Sequence, residues 1–228
     1  MSTSPEGRAS LPPEGRRIAF VGKGGSGKST IIAYLLGHWA EDGYPVAALD
    51  ADEPGDEENG SLTEWADLVE MAGPVYPAPS RSHLRQRAKQ LTPAGGLLAI
   101  DTGAWIRRAG NTHFTVLSTA DLVVMTMAPT AMELDRAGSV LAALDHLTDV
   151  GAHCPRLVIC LTMVNASAAS GDETAGTLRS AGYHVLTTRV PRSDAREGYG
   201  QAFGRVPRLV PDSPMDRLAA EVAAEAAQ

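Results

Sequence analysis

Apolar positions fall in short blocks separated by glycine, proline and charged residues. Arg17–Gly22 is an apolar run of β-forming residues that stops at glycine, the pattern of a strand buried on both faces. From Lys28 to about Trp39 the sequence predicts an apolar helix, and Gly43-Tyr-Pro breaks it before a second strand at Val46–Leu49. Further β-like runs occupy Leu97–Ile100, Leu122–Met127, Leu157–Met163 and His184–Val190. Helical patterns lie between them at about 131–147, 172–181 and 193–202, and the Ala- and Glu-rich stretch Met215–Gln228 reads as a closing helix. Such alternation predicts an α/β fold, a mostly parallel twisted sheet with helices on both faces.

Composition changes this picture little. The chain has 228 residues and is 43% hydrophobic, which suits one well-buried domain, taken here as 16–228. Residues 1–15 are rich in Ser, Pro, Gly and charge and predict a disordered tail. They lack the apolar centre of a secretory signal, and no apolar run reaches the ~20 residues of a membrane span. A cytoplasmic protein with no membrane partner is expected. Cys154 and Cys160 do not form a C-x-x-C pair and predict two reduced, packed thiols.

The formal net charge of −7 argues against nucleic-acid binding over the whole surface, but the charge is uneven. Residues 179–217 hold seven arginines against four acids. Ser80–Gln90, with Arg81, Arg85, Arg87 and Lys89, reads as a solvated helix face. The three lysines of the chain are Lys23, Lys28 and Lys89, and two of them lie in one glycine-rich loop.

That loop, Gly22-Lys23-Gly24-Gly25-Ser26-Gly27-Lys28-Ser29-Thr30, satisfies G-x-x-x-x-G-K-[ST] between a strand and a helix, the setting of a P-loop NTPase. Its glycines let backbone N–H groups wrap phosphates. Lys28 is placed for the β- and γ-phosphates, the Ser29 hydroxyl for Mg²⁺, and Thr30 near the α-phosphate. A turn that merely reversed the chain would need neither the two lysines nor the Ser-Thr pair. ATP with Mg²⁺ is the expected ligand. Leu97–Asp101 is an apolar strand ending in an acid, which makes Asp101 a candidate for holding a Mg²⁺-bound water.

Lys23 carries further information, because an ordinary P-loop needs no lysine after its first glycine. The form GKGGxGKS[ST] resembles the deviant Walker A motif of the ParA/MinD family. By that resemblance Lys23 would reach the nucleotide of a second subunit. Leu49-Asp50-Ala-Asp52 resembles the family's D-x-D, which would put Asp50 near hydrated Mg²⁺ and let Asp52 position the attacking water. Lys23, Lys28 and Asp52 are then the catalytic candidates. The family's D-x-D-P-Q is replaced here by Asp52-Glu53-Pro54-Gly55, followed by Asp56, Glu57 and Glu58. Pro129-Thr130 with Glu133 resembles the loop and helix after Walker B in short, ParF-like proteins. Thr162-Met163 and Pro191-Arg192-Ser193 resemble the segments that enclose adenine, implicating Met163, Pro191 and Arg192. The likeness runs over about residues 17–210.

The resemblance implies an ATP-dependent homodimer that binds DNA non-specifically and is nucleoid-associated when ATP-bound. It also implies weak hydrolysis stimulated by a centromere-binding, ParB-like adaptor, in the service of plasmid or chromosome partition. Arg192, Arg196, Arg205 and Arg208 are the expected phosphate contacts on DNA. Two alternatives share the fold. A ligase or kinase resembling dethiobiotin synthetase has no use for Lys23. A MinD-like membrane switch needs a basic C-terminal helix with bulky apolar anchors, and Met215–Gln228 is mostly alanine.

Overall fold

The computed structural model describes residues 8–52, 61–78, 81–105, 111–165 and 168–228. Residues 53–58, where the D-x-D segment departs from the family pattern, lie outside them. Six strands form one parallel sheet: β1 (Arg16–Gly22), β2 (Val46–Ala51), β3 (Val75–Pro77), β4 (Leu97–Thr102), β5 (Leu122–Met127) and β6 (Arg156–Leu161), in the order β3-β2-β4-β1-β5-β6. The expected α/β architecture is therefore present.

Alternation along each strand sorts the core into two layers. Ile18, Phe20, Val46, Ala48, Leu97, Ala99, Leu122 and Val124 face α1 (Lys28–Glu41), α2 (Ser61–Leu68) and α7 (Pro214–Ala226). Their neighbours Ala19, Val21, Ala47, Leu49, Leu98, Ile100, Val123 and Met125 face α3 (Arg81–Leu91), α4 (Asn111–Leu117), α5 (Ala131–Asp149) and α6 (Ser170–Ser180). Trp39, fully buried on α1, donates from Nε1 to the Ala219 carbonyl at 2.8 Å and ties α1 to α7.

Several features differ from the sequence expectation. His184–Val190 is no strand; beside β6 it makes isolated bridges, Ile159 to Val185 and Val164 to Pro191, and a bond from Val190 N–H to the Leu161 carbonyl at 3.0 Å. The Thr187 and Thr188 N–H groups donate instead to the Glu221 carboxylate of α7, at 2.6 and 2.9 Å, so they cannot extend a ladder. Residues 193–202 contain only a short 3₁₀ turn at Tyr199–Gln201. There the chain folds back, with Gly200 N–H donating to the Ser193 carbonyl at 3.0 Å, and two glycines disfavour a continuous helix. Finally, the leader is packed from Arg8 on, where composition predicted disorder through residue 15. Its polar groups find partners on the body: Arg8 lies over the Tyr44 ring, the Tyr44 hydroxyl donates to the Ala9 carbonyl, and Leu11 joins the core.

Among the described residues no helix is long and apolar enough to cross a membrane. The apolar side of α7 (Met215, Leu218, Ala219, Val222) packs inside the fold.

Candidate functional site

The site forms where β1, β2 and β4 end beside the N-terminus of α1. Gly27, the residue before α1, has φ 89°, a left-handed conformation that glycine adopts without steric cost. No side chain caps that helix end and its first turn holds no acid, so its N–H groups and positive dipole end suit an anion. Gly22 is needed for a different reason. A Cβ there would collide with the carbonyl and hydroxyl oxygens of Thr126 on β5. The Thr126 hydroxyl is itself 2.8 Å from Ser26 Oγ, which anchors the middle of the loop to the sheet.

The two loop lysines differ sharply. Lys28 is buried, with Nζ 3.4 Å from the carbonyls of Gly22 and Lys23. Burial lowers its pKa, and the charges of Asp101 and Asp52 oppose that shift. Lys23 is half-exposed and pairs with Glu133 on the first turn of α5, Nζ to Oε1 3.5 Å. The Thr130 hydroxyl caps the same turn by accepting from Glu133 N–H.

Three carboxylates complete the cluster. Asp50 and Asp101 are partners in the β2–β4 register, so their side chains stand side by side on the α1 face of the sheet. Asp50 is held firmly: Oδ2 accepts from the Thr63 N–H and hydroxyl at 2.8 and 2.9 Å, and Oδ1 accepts from Asp52 N–H at 3.1 Å. Asp52 lies one residue past the end of β2, so it does not continue the strand with Asp50 as an i, i+2 pair. Its carboxylate occupies the space that a side chain at position 103 would fill, and Gly103 keeps that space clear. Burial and then the Asp50 charge raise its pKa, while Lys28 and His113 pull it down.

Asp101 is fully buried and neither of its oxygens makes a hydrogen bond, although the Ser29 hydroxyl lies close enough to relieve part of the burial. Burial raises its carboxyl to about 7, with the Asp50 and Asp52 charges adding to the rise. A buried carboxylate without a donor, next to a serine hydroxyl, fits a hydrated hard cation. Ser29, Asp101 and, from outside, Asp50 are the residues that fit Mg²⁺. No group of three or more His, Cys, Asp or Glu able to hold a metal occurs among the described residues, so such an ion would need nucleotide oxygens as well.

On the opposite side of the loop a cavity of about 170 Å³ is bounded by Ser26, Gly27, Thr30, Met163, Pro191 and Arg192. The residues expected around adenine are thus brought together against the phosphate loop. Sequence reading missed further residues in the wall, among them Tyr199 and Met215, which come from segments with no motif. Thr162 also lines the cavity, and its buried hydroxyl has no hydrogen-bond partner. Met163 sits at φ 53°, a left-handed conformation that is strained for methionine.

Of the four arginines expected at DNA, two are paired with carboxylates. Arg192 pairs with Asp194 at 2.7 Å and Arg208 with Glu197 at 2.9 Å, while Arg205 donates to the Arg196 carbonyl at 2.8 Å.

Comparison with known proteins gives the family and the fold. Residues 18–199 match the family described as the CobQ/CobB/MinD/ParA nucleotide binding domain. A protein ParA of Rhizobium radiobacter is 32% identical over 118 residues, 51% of this chain and 50% of that protein. The chain thus spans about half the length of the curated relative it matches. Cobyrinic acid a,c-diamide synthase from Mycobacterium smegmatis, solved with an ATP analog and magnesium, superposes with TM-score 0.67 at 16% identity, covering 92% of each chain. The cell division ATPase MinD of Pyrococcus furiosus superposes at 0.64 and 17%, covering 92% of this chain and 98% of that one. At these identities the structural likeness speaks to the fold.

Proposed function

The chain belongs to the CobQ/CobB/MinD/ParA nucleotide-binding domain family, and we propose that it is a ParA-type ATPase that dimerises on ATP, binds DNA without sequence preference and partitions plasmid or chromosomal DNA with a centromere-binding adaptor. The observation that carries this reading is the division of labour between the loop lysines. Lys28 is buried against the phosphate loop beside Asp52 and Asp101, whereas Lys23 is half-exposed and, among the described residues, held by one ion pair. A catalytic site serving one chain alone has no evident use for the second ammonium.

In this reading Gly22–Thr30 wraps the phosphates of ATP, Lys28 neutralises their charge, and Met163, Pro191 and Arg192 border the base. Ser29, Asp101 and Asp50 are the residues that would hold Mg²⁺, which would supply charge neutralisation at the phosphates. Asp52 orients the attacking water, its raised pKa suiting it to accept a proton. Lys23 leaves Glu133 and contacts the nucleotide of the partner subunit, so ATP is enclosed between protomers. Hydrolysis then separates them.

Light scattering after size exclusion tests the switch. The mass should double with ATP and Mg²⁺ and return to that of the monomer with ADP; the same mass under both conditions would overturn the reading.

A further inference from the structure

Residues 71–100 contain Arg81, Arg85, Arg87 and Lys89 and neither Asp nor Glu, in a chain of formal net charge −7. The fold places this charge on a single helix. In α3 the apolar residues Leu84 and Ala88 are buried against the sheet, while Arg85, Gln86, Lys89 and Gln90 are exposed. Arg85 and Lys89 are four residues apart, so they stack on one face about 6 Å apart along the axis.

What surrounds these cations decides what they can bind. Arg85 Nη2 donates to Ser118 Oγ at 2.8 Å, and the Arg87 guanidinium lies 5.4 Å from the centre of the Tyr76 ring. Both contacts orient a cation without neutralising it. Among the described residues no carboxylate pairs with Arg85, Arg87 or Lys89, whereas Arg192 and Arg208 are held by Asp194 and Glu197. The exposed amides of Gln86 and Gln90 add hydrogen-bond donors between the charges. A lipid surface would call for apolar side chains on the outward face, and those of α3 point into the core. A protein partner would call for an aromatic or aliphatic anchor, which this face lacks. A polyphosphate backbone needs only regularly spaced cations and donors.

Building on the DNA-binding reading above, we infer that the outward face of α3, and not the Arg192–Arg208 segment, is the surface that docks the phosphate backbone of duplex DNA. The contacts are non-specific, since a single short helix of cations and amides laid on phosphates carries no base readout.

The test is fluorescence anisotropy of a labelled duplex of arbitrary sequence, with ATP and Mg²⁺, over roughly 50 to 200 mM salt. Arg85→Gln/Lys89→Gln should weaken binding at least ~10-fold and reduce the log–log salt slope by about 2, close to 0.9 per lost phosphate contact. Arg196→Gln/Arg208→Gln should leave both quantities near wild type. Lys89→Glu alone, which keeps the Arg85–Ser118 contact, should weaken binding as well, and all variants should bind a fluorescent ATP analogue like wild type. Unchanged duplex affinity in the α3 variants, or loss confined to the Arg196/Arg208 pair, overturns this surface and leaves the ATP switch standing. Wild-type protein that binds ATP but no duplex overturns both. Loss of binding only to phosphatidylserine vesicles would assign α3 to a membrane instead and overturn the inference.

Discussion

Lys23 Nζ stands 3.5 Å from Glu133 Oε1, so the first ammonium of the loop is satisfied within its own chain by a residue on the first turn of α5. Water screens the half-exposed Lys23 side of the pair, although Glu133 itself is buried, and at this distance the attraction on the ammonium is modest. That is small beside the charge of a triphosphate, so the contact can be exchanged for a second nucleotide at little cost.

Lys23→Ala should therefore keep ATP binding but remain at monomer mass with ATP and Mg²⁺. Glu133→Gln, which removes the competing charge, should dimerise at up to ~5-fold lower protein concentration than wild type. Light scattering across a dilution series reads both outcomes. A Lys23→Ala protein that dimerises like wild type would exclude any role for this lysine between subunits.

Asp101 makes the pH dependence specific. Its carboxyl is raised from 3.8 to about 7, so it favours the fold while protonated. That contribution is full below about pH 4 and is lost as pH rises through 7. Mg²⁺ needs the carboxylate and follows the opposite trend. Between pH 6 and 8 the ligand-free protein should lose stability while Mg²⁺-dependent nucleotide affinity increases. Asp101→Asn should flatten both trends and raise the melting temperature of the ligand-free protein at pH 8 by about 2–4 °C, roughly 1 kcal/mol. Thermal melts with and without Mg²⁺ and nucleotide check this.

Thr162 offers a separate readout of the cavity. Its hydroxyl is buried without a partner in the cavity wall, a state that costs about 1 kcal/mol or more. Thr162→Val should stabilise the ligand-free protein by about that amount and weaken ATP by roughly 10-fold if the base supplies the missing bond. Equal ATP affinity in the two proteins would remove the base from contact with this hydroxyl.

Gly22→Ala should be costly in both respects. The added methyl meets the carbonyl and hydroxyl of Thr126, and overpacking of this kind costs about 1–3 kcal/mol. Lower melting temperature together with lost nucleotide binding is expected, because Thr126 also holds Ser26 in the loop.

The sequence was most readable where one residue type answers to one physical demand. β1, β2, β4 and β5 are apolar because helices cover both their faces, and the phosphate loop is glycine-rich because Gly22 abuts Thr126 and Gly27 is left-handed. β3 escaped notice because three residues at a sheet edge, Val75–Pro77, set up no periodicity. The apparent strand His184–Val190 misled because its β-forming residues are bonded by Glu221, 34 positions from Thr187 in the chain. Tyr199 and Met215 could not be assigned to the cavity without knowing that α7 packs beside the loop. The solvated face of α3 was legible from the four cations of Ser80–Gln90; that Arg85 and Lys89 stand on it without carboxylate partners among the described residues was not.

The grip of Glu221 on Thr187 and Thr188 has a practical consequence for anyone handling this protein. Met215 lines the base-side cavity, and Glu221 steadies the segment that leads to Pro191 and Arg192. Shortening the chain before Pro214 would therefore strip a wall from the ligand chamber as well as a helix from the core.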